Sequence, residues 1–132
     1  MLSHMLDTNI CIYVMRDRAP IPRARFLALE GKLSVSTVTV GELAYGAEKS
    51  GRPKQNLEEL DLFLSQVSVL DFDEMAARHY GQLRSELERI GTPCGPYDTQ
   101  IGAHARSRGL IIVTNNRREF DRMPGLRVEN WV

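Results

Sequence analysis

Four carboxylates hold this sequence's capacity for chemistry: Asp7, Glu42, Asp98 and Glu119. Asp7 follows a short apolar run and precedes another, Ile10-Cys11-Ile12-Tyr13-Val14-Met15, so it is expected at the C-terminal edge of a buried strand. In open α/β sheets that edge is where ligands bind. Glu42 falls in the first turn of a helix expected after the second strand. Asp98 opens the helix before the most apolar strand, and Glu119 lies just beyond that strand, after Thr114-Asn115-Asn116. Brought to one edge, such acids repel one another and raise one another's pKa unless a cation neutralises them. Mg²⁺ and Mn²⁺ prefer oxygen ligands and suit this set. An ion held there activates water and stabilises the charge that develops on a phosphate during in-line displacement. Taken singly, each acid has a plainer reading. Asp7 can cap the next helix, Glu42 can complete the capping box Thr39-x-x-Glu42, and Asp98 can be an N-cap. Glu119 can be a solvated acid among Arg117, Arg118 and Arg122. None of these explains why all four fall on one expected edge.

The elements that must position the acids alternate between strand and helix. Residues 3–7 read as a strand and Asn9 to Arg16 as a short helix, stopped by Arg16-Asp17-Arg18-Ala19-Pro20. A second helix is expected from Pro22 to Glu30, with Gly31 as its stop. Strands at Leu33–Ser36 and Val67–Phe72 bracket two helices. One runs from the capping box to Ser50, and the other carries Leu57, Leu60, Phe63, Leu64 and Val67 at helical spacing. Asp73 opens a long helix to Arg89, and a further helix runs from Tyr97-Asp98 to Arg108, closed by Gly109. The unbroken apolar run Leu110-Ile111-Ile112-Val113-Thr114 reads as a central strand covered on both faces. A turn and short helix over Asn115–Met123 and a strand over Leu126–Trp131 complete the chain. This order predicts an α/β fold in which residues 1–132 form a single domain, a mostly parallel central sheet with helices on both faces.

The composition is that of an ordinary globular protein, with 42% hydrophobic and 26% charged residues and a net charge of zero. No apolar stretch approaches the roughly 20 residues that span a bilayer. No basic-then-apolar leader precedes Asp7. A cytoplasmic location without membrane contact is therefore expected. Cys11 and Cys94 lie far apart with no C-x-x-C or zinc spacing, and His4, His79 and His104 are scattered, which argues against a soft-metal site. Of the 17 Lys and Arg residues, 14 are arginine, the side chain that grips phosphate bidentately. With acids gathered in one cleft, zero net charge leaves arginines in excess elsewhere, which suits an anionic polymer lying over a metal site.

The strings around the acids resemble those of the PIN-domain ribonucleases. They are Met5-Leu6-Asp7-Thr8-Asn9, Gly41-Glu42-Leu43 with Tyr45-Gly46-Ala47, and Gly95-Pro96-Tyr97-Asp98. The match continues through Ile101 to Gly109, Leu110 to Asn116, Glu119-Phe120, and the closing Gly125-Leu126-Arg127 with Glu129-Asn130-Trp131. Within that family the pattern is most similar to the VapC toxins of bacterial type II toxin–antitoxin pairs, in order along essentially the whole chain. The resemblance implies a three-layer, PIN-like α/β/α fold, dependence on Mg²⁺ or Mn²⁺, endonucleolytic cleavage of RNA, and inhibition by a cognate VapB-type antitoxin. Asp7, Glu42 and Asp98 match the family's metal-binding and catalytic acids. Some PIN domains carry an aspartate where Asn116 stands; here Glu119 is expected to be the fourth acid and Asn116 a hydrogen-bonding contributor. Thr8, Asn9 and Thr114 are expected to orient the acids, because ligating carboxylates need their spare lone pairs satisfied. Arg117 and Arg118, with Arg16, Arg18, Arg106 and Arg108, are candidates for holding RNA phosphates, with solvated positions the alternative for each. The resemblance further implies a structured RNA such as tRNA as substrate, the initiator tRNA anticodon region first among them. It also implies a homodimer and a groove for an antitoxin helix, built from Tyr45, Leu60, Phe63 and Leu64 unless these are plain core.

Two other classes compete. A Mg²⁺-binding phosphoacceptor domain of the receiver type also places an aspartate at a sheet edge, but it needs paired acids after the first strand and a late lysine. Here Asp7 stands alone and the last lysine is Lys54. A catalytically silent scaffold would have no use for four such acids.

Overall fold

The computed structural model describes residues 1–16 and 20–132; the expected stop of the first helix at residues 17–19, and Arg18 with it, lies outside the described residues. Five short segments, β1 (His4–Leu6), β2 (Leu33–Ser36), β3 (Ser68–Leu70), β4 (Ile111–Val113) and β5 (Val128–Glu129), pair into one sheet in the order β3-β2-β1-β4-β5. Every adjacent pair is parallel. Parallel neighbours need long crossovers. The crossovers are made by helices α1 (Thr8–Arg16), α2 (Pro20–Ala28), α3 (Thr37–Glu48), α4 (Pro53–Leu64), α5 (Glu74–Arg89), α6 (Pro96–Ser107) and α7 (Arg117–Phe120).

Period-two alternation divides the core between the two faces of the sheet. Leu6, Leu33, Val35 and Val113 pack with Ile10 and Val14 of α1, Phe26 of α2, Leu43 of α3, and Leu60 and Phe63 of α4. Met5 and Ile112 point the other way, onto Leu83 and Leu87 of α5, Ile101 and Ala105 of α6, and Phe120 of α7. The result is the expected three-layer α/β/α arrangement. Fully burying each of the larger side chains stabilises it by roughly 1.5–3 kcal/mol, so β1, which feeds both cores through Met5 and Leu6, is held from both sides.

Several boundaries differ from the sequence reading, for local reasons. The central strand is β1; β4 is interior but lies next to the edge strand β5. Its apolar run is explained all the same, because Ile112 and Val113 are buried on opposite faces. Helix α3 begins two residues before the expected capping box, because Ser36 at the end of β2 caps it, its Oγ accepting from Val38 N at 3.1 Å. Thr39 is therefore not a cap, and Glu42 stands in the second turn rather than the first. Helix α6 takes Gly95 as its N-cap and Pro96 as its first residue, which leaves Asp98 within the first turn rather than at the cap. Asp73 does cap α5, as expected, accepting from Ala76 N. Gly109 closes α6 with φ +65°, a left-handed conformation that costs glycine no Cβ clash.

The connections leave β1 toward β2 on one side, while β4 joins β1 on the other. The strand order thus reverses beside β1, and the crevice outside the carboxyl ends of β1 and β4 is where such a fold accepts ligands. Asp7 and Thr114 are the residues that follow those two ends.

Candidate active site

Asp7 leaves β1 with its backbone still tied to β4, its N–H donating to Val113 O at 2.9 Å. Its side chain is 3% exposed, and Thr114 Oγ1 donates to its Oδ2 at 2.6 Å. The same Thr114 oxygen accepts from Asn116 N at 2.9 Å, so one hydroxyl fixes both Asp7 and the turn that follows β4. Burial pushes the Asp7 carboxyl above the usual range; the Thr114 and Thr8 hydrogen bonds pull it down, and the charges of Glu42 and Glu119 raise it again.

That turn carries Asn116, whose Nδ2 donates to Asp98 Oδ2 and to Glu119 Oε2, each at 3.3 Å. Gly95 N donates to Glu119 Oε1 at 3.2 Å. Asp98 is pushed up to about 8, by burial first, then by its hydrogen bond with Glu119, and then by the charges of Asp7, Glu119 and Glu42. Glu119 moves down, chiefly through that same bond and also through Gly95, Asn116 and the Arg122 charge. The opposite shifts make the two carboxyls one coupled pair in which protonation is favoured on Asp98. Across the cleft, Thr8 Oγ1 donates to Glu42 Oε1 at 2.7 Å, with Thr39 Oγ1 3.3 Å from the same hydroxyl.

All four expected acids therefore meet at one sheet edge, and Thr8, Thr114 and Asn116 contact them. Asn9 does not: it is exposed, and among the described residues its side chain makes no hydrogen bond. Among the described residues, no three carboxylate, thiol or imidazole groups close on a single point to form a finished metal cage. Thr114 and Thr8 hold Asp7 and Glu42, while Asn116 bridges Asp98 and Glu119. Two contributors to the site were not assigned a role from the sequence. The Gly95 backbone N–H reaches Glu119 because a helix N-cap leaves that donor outside the helix ladder, which the Gly-Pro pair signals. Arg122 places its charge on Glu119, whereas its sequence neighbours Arg117 and Arg118 face outward.

Arg117 pairs with Asp121 at 3.2 Å and Arg118 is exposed, both on α7 beside Glu119. Arg106 and Arg108 do not flank the cleft. Arg106 is engaged by His79, Gln82 and Pro124 O, at 2.9, 2.9 and 3.0 Å, at the far end of α6 from Asp98. Leu60 and Phe63 are core, Leu64 is half-buried, and Tyr45 is 66% exposed beneath Lys49. Glu42 sits where two grooves meet. One, of about 290 Å³, runs between α1, α3 and α4 past Ile12, Met15, Leu43 and Leu60. The other, of about 720 Å³, runs between α3 and α6 past Tyr45 and Tyr97.

Comparison with known proteins gives the family. The PIN domain family matches residues 4–126. A protein of Shigella flexneri described as tRNA(fMet)-specific endonuclease VapC is 55% identical over 131 residues, covering 99% of each chain. Ribonuclease VapC2 of Haemophilus influenzae is 49% identical over the full length of both. The crystal structure of DNA-bound VapBC from Salmonella typhimurium contains a chain that superposes with a TM-score of 0.96 at 51% identity, covering 100% of both. No helix among the described residues is long and apolar enough to cross a membrane.

Proposed function

This chain belongs to the PIN-domain family and, within it, to the VapC endoribonucleases of VapBC toxin–antitoxin systems; from that membership we propose that it is a divalent-metal-dependent hydrolase that cuts initiator tRNA in its anticodon region and so inhibits translation. The observation that carries the reading is the meeting of Asp7, Glu42, Asp98 and Glu119 at the carboxyl edge of β1 and β4. The receiver-type alternative finds no support in the family match or in the single acid after β1.

The residues fit a hard divalent cation. Every donor at the edge is an oxygen, and Asp98 is held at about 8 by burial and neighbouring acids, a deficit of positive charge that such an ion fills. Mg²⁺ keeps several waters and takes only one or two carboxylates directly, which suits acids that stand near one another without forming a cage. Asp7, Asp98, Glu42 and Glu119 would hold it, as Mg²⁺ or Mn²⁺. When bound, the ion lowers the pKa of water and stabilises charge on the phosphate.

The chain's own residues do the rest. Thr114 holds Asp7 Oδ2, Thr8 holds Glu42 Oε1, and Gly95 N with Asn116 holds Glu119, so the carboxylates face the cleft in fixed orientations. Water oxygen bonds to phosphorus and releases a proton, the bond from phosphorus to the ribose 3′ oxygen breaks, and that oxygen takes up a proton as it leaves, so the step is balanced overall. The products are a 5′-phosphate and a 3′-hydroxyl. Identity of 55% with a relative described as specific for tRNA(fMet) supports the choice of RNA, and a cytoplasmic site of action goes with that choice as part of the same proposal.

Solved VapBC complexes support a VapB-type antitoxin as partner. The groove between α1, α3 and α4 offers apolar walls beside Glu42, so an antitoxin helix can anchor there and extend a basic side chain among the acids. The exposed Tyr45 and Tyr97 along the second groove support a homodimer through that face. The test of the activity is to incubate the purified chain with tRNA and Mg²⁺. Asp98→Asn should leave the tRNA whole, and cutting by that variant at the wild-type rate would refute the assignment.

A further inference from the structure

One buried polar group is not absorbed by this chemistry. His104 of α6 is 0% exposed, and its Nδ1 lies 2.9 Å from Ser36 Oγ. Its Nε2 has no hydrogen-bond partner among the described residues, and Phe72 stands perpendicular to the imidazole, ring centroids 5.6 Å apart. A leucine would fill this space without burying an unpartnered nitrogen. The imidazole contributes a directional tie, and its partner is the residue that caps α3.

The hydrogen positions follow from counting donors. Ser36 Oγ already accepts from Val38 N. If the Ser36 hydroxyl donates to Nδ1, only the Nε2–H is left unpartnered; the opposite tautomer would leave both the hydroxyl proton and Nε2 unused. Burial lowers the pKa of His104, in keeping with a neutral ring. The same junction is fixed a second time, because Phe72 N donates to Thr37 Oγ1 at 3.1 Å. The end of β2 and the start of α3 are thus held by α6 and by the segment after β3 together.

The positions along the two helices give the tie its consequence. His104 is six residues beyond Asp98 on α6, and Ser36 is six residues before Glu42 on α3. Each acid is therefore about 9 Å along its helix from the tie. α3 and α6 pack against each other directly. We propose that His104 is a positioning residue of the RNA-cleaving site: by holding the Ser36 hydroxyl it fixes α3 against α6 and so sets Glu42 relative to Asp98, a role that rests on the endoribonuclease reading above.

The experiment is a double-mutant cycle on tRNA cleavage with His104→Leu, Ser36→Ala and the two combined, with His104→Asn as the conservative variant. His104→Leu should lower kcat by about ten- to a hundredfold, the scale set by small misplacements of reacting groups, with KM little changed. Ser36→Ala should cost a similar factor, and adding His104→Leu to it should cost little more. His104→Asn, whose amide oxygen can accept from Ser36, should recover most of the rate. Should His104→Leu fail to fold, Ser36→Ala and His104→Asn carry the test: Ser36→Ala alone should lower kcat, His104→Asn alone should keep most of it, and wild-type kcat in Ser36→Ala would overturn the proposal. Imidazole ¹⁵N shifts supply a readout independent of activity: an unprotonated Nδ1 in the wild type that shifts in Ser36→Ala. Losses in kcat that multiply in the double variant, wild-type kcat in His104→Leu, or a protonated Nδ1 would each overturn the proposal. A wild type that cuts no tRNA, with the ¹⁵N tie intact, would instead overturn the endoribonuclease reading, and the positioning role with it.

Discussion

Asp98 bears the heaviest electrostatic strain among the acids, and its behaviour can be measured without RNA. Its folded pKa of about 8 lies above the unfolded value of 3.8. A group shifted upward favours folding fully below its unfolded pKa, and that contribution is lost as pH rises through the folded value. Glu119 shifts the other way, so its contribution is lost only as pH falls below the usual range for a glutamate. In EDTA, urea unfolding should therefore show stability falling from pH 5 to pH 8, and Mg²⁺ should diminish the fall by pairing with the ionised carboxylates. Equal stability at both pH values in EDTA would contradict protonation on Asp98. Thr114→Val tests the orienting role more narrowly. It keeps the shape but removes the 2.6 Å bond on Asp7, and should cost about 10–100-fold in activity with the fold unchanged by circular dichroism.

At the scale of elements, α7 and α6 make opposite predictions for their arginines. Arg117→Ala and Arg118→Ala, on α7 beside Glu119, should weaken RNA binding and reduce its salt dependence by about one phosphate contact without moving the cut. Arg106→Ala should leave RNA affinity alone and lower the melting temperature, because its partners are His79, Gln82 and Pro124 O. Titration of labelled RNA at two salt concentrations, with thermal melts alongside, separates the two. The sequence made the strands that feed the site legible because Leu6 and Val113 fall at the ends of short apolar runs, each followed by a polar turn. It made the acids legible because Asp7 follows such an end, Asp98 lies in the first turn of its helix, and Glu42 and Glu119 fall within a few residues beyond a strand. The capping of α3 was not legible: Ser36 and Thr39 are both good caps, and only the point where β2 leaves the sheet decides between them. Nor was the separation of Arg106 from the cleft, since that depends on which end of α6 meets the sheet edge. The edge strands β3 and β5 came out shorter than their apolar runs because each has a neighbour on one side only.

For the whole molecule, the grooves meeting at Glu42 join activity to assembly. Light scattering at tens of micromolar should show a dimer, and a strict monomer would remove the proposed face bearing Tyr45 and Tyr97. If an antitoxin inhibits by placing a basic side chain among the acids, rising Mg²⁺ or Mn²⁺ should partly relieve inhibition by its C-terminal peptide. Indifference to the metal would leave steric blocking alone. Mapping the ends of fragments from tRNA incubated with the purified chain shows whether the converging carboxylates make it a metal-dependent endoribonuclease. One cut in the initiator tRNA anticodon region, 5′-phosphate and 3′-hydroxyl ends, and no cut in excess EDTA are expected. Cleavage in EDTA at the undiminished rate, or 2′,3′-cyclic phosphate ends, would contradict that mechanism.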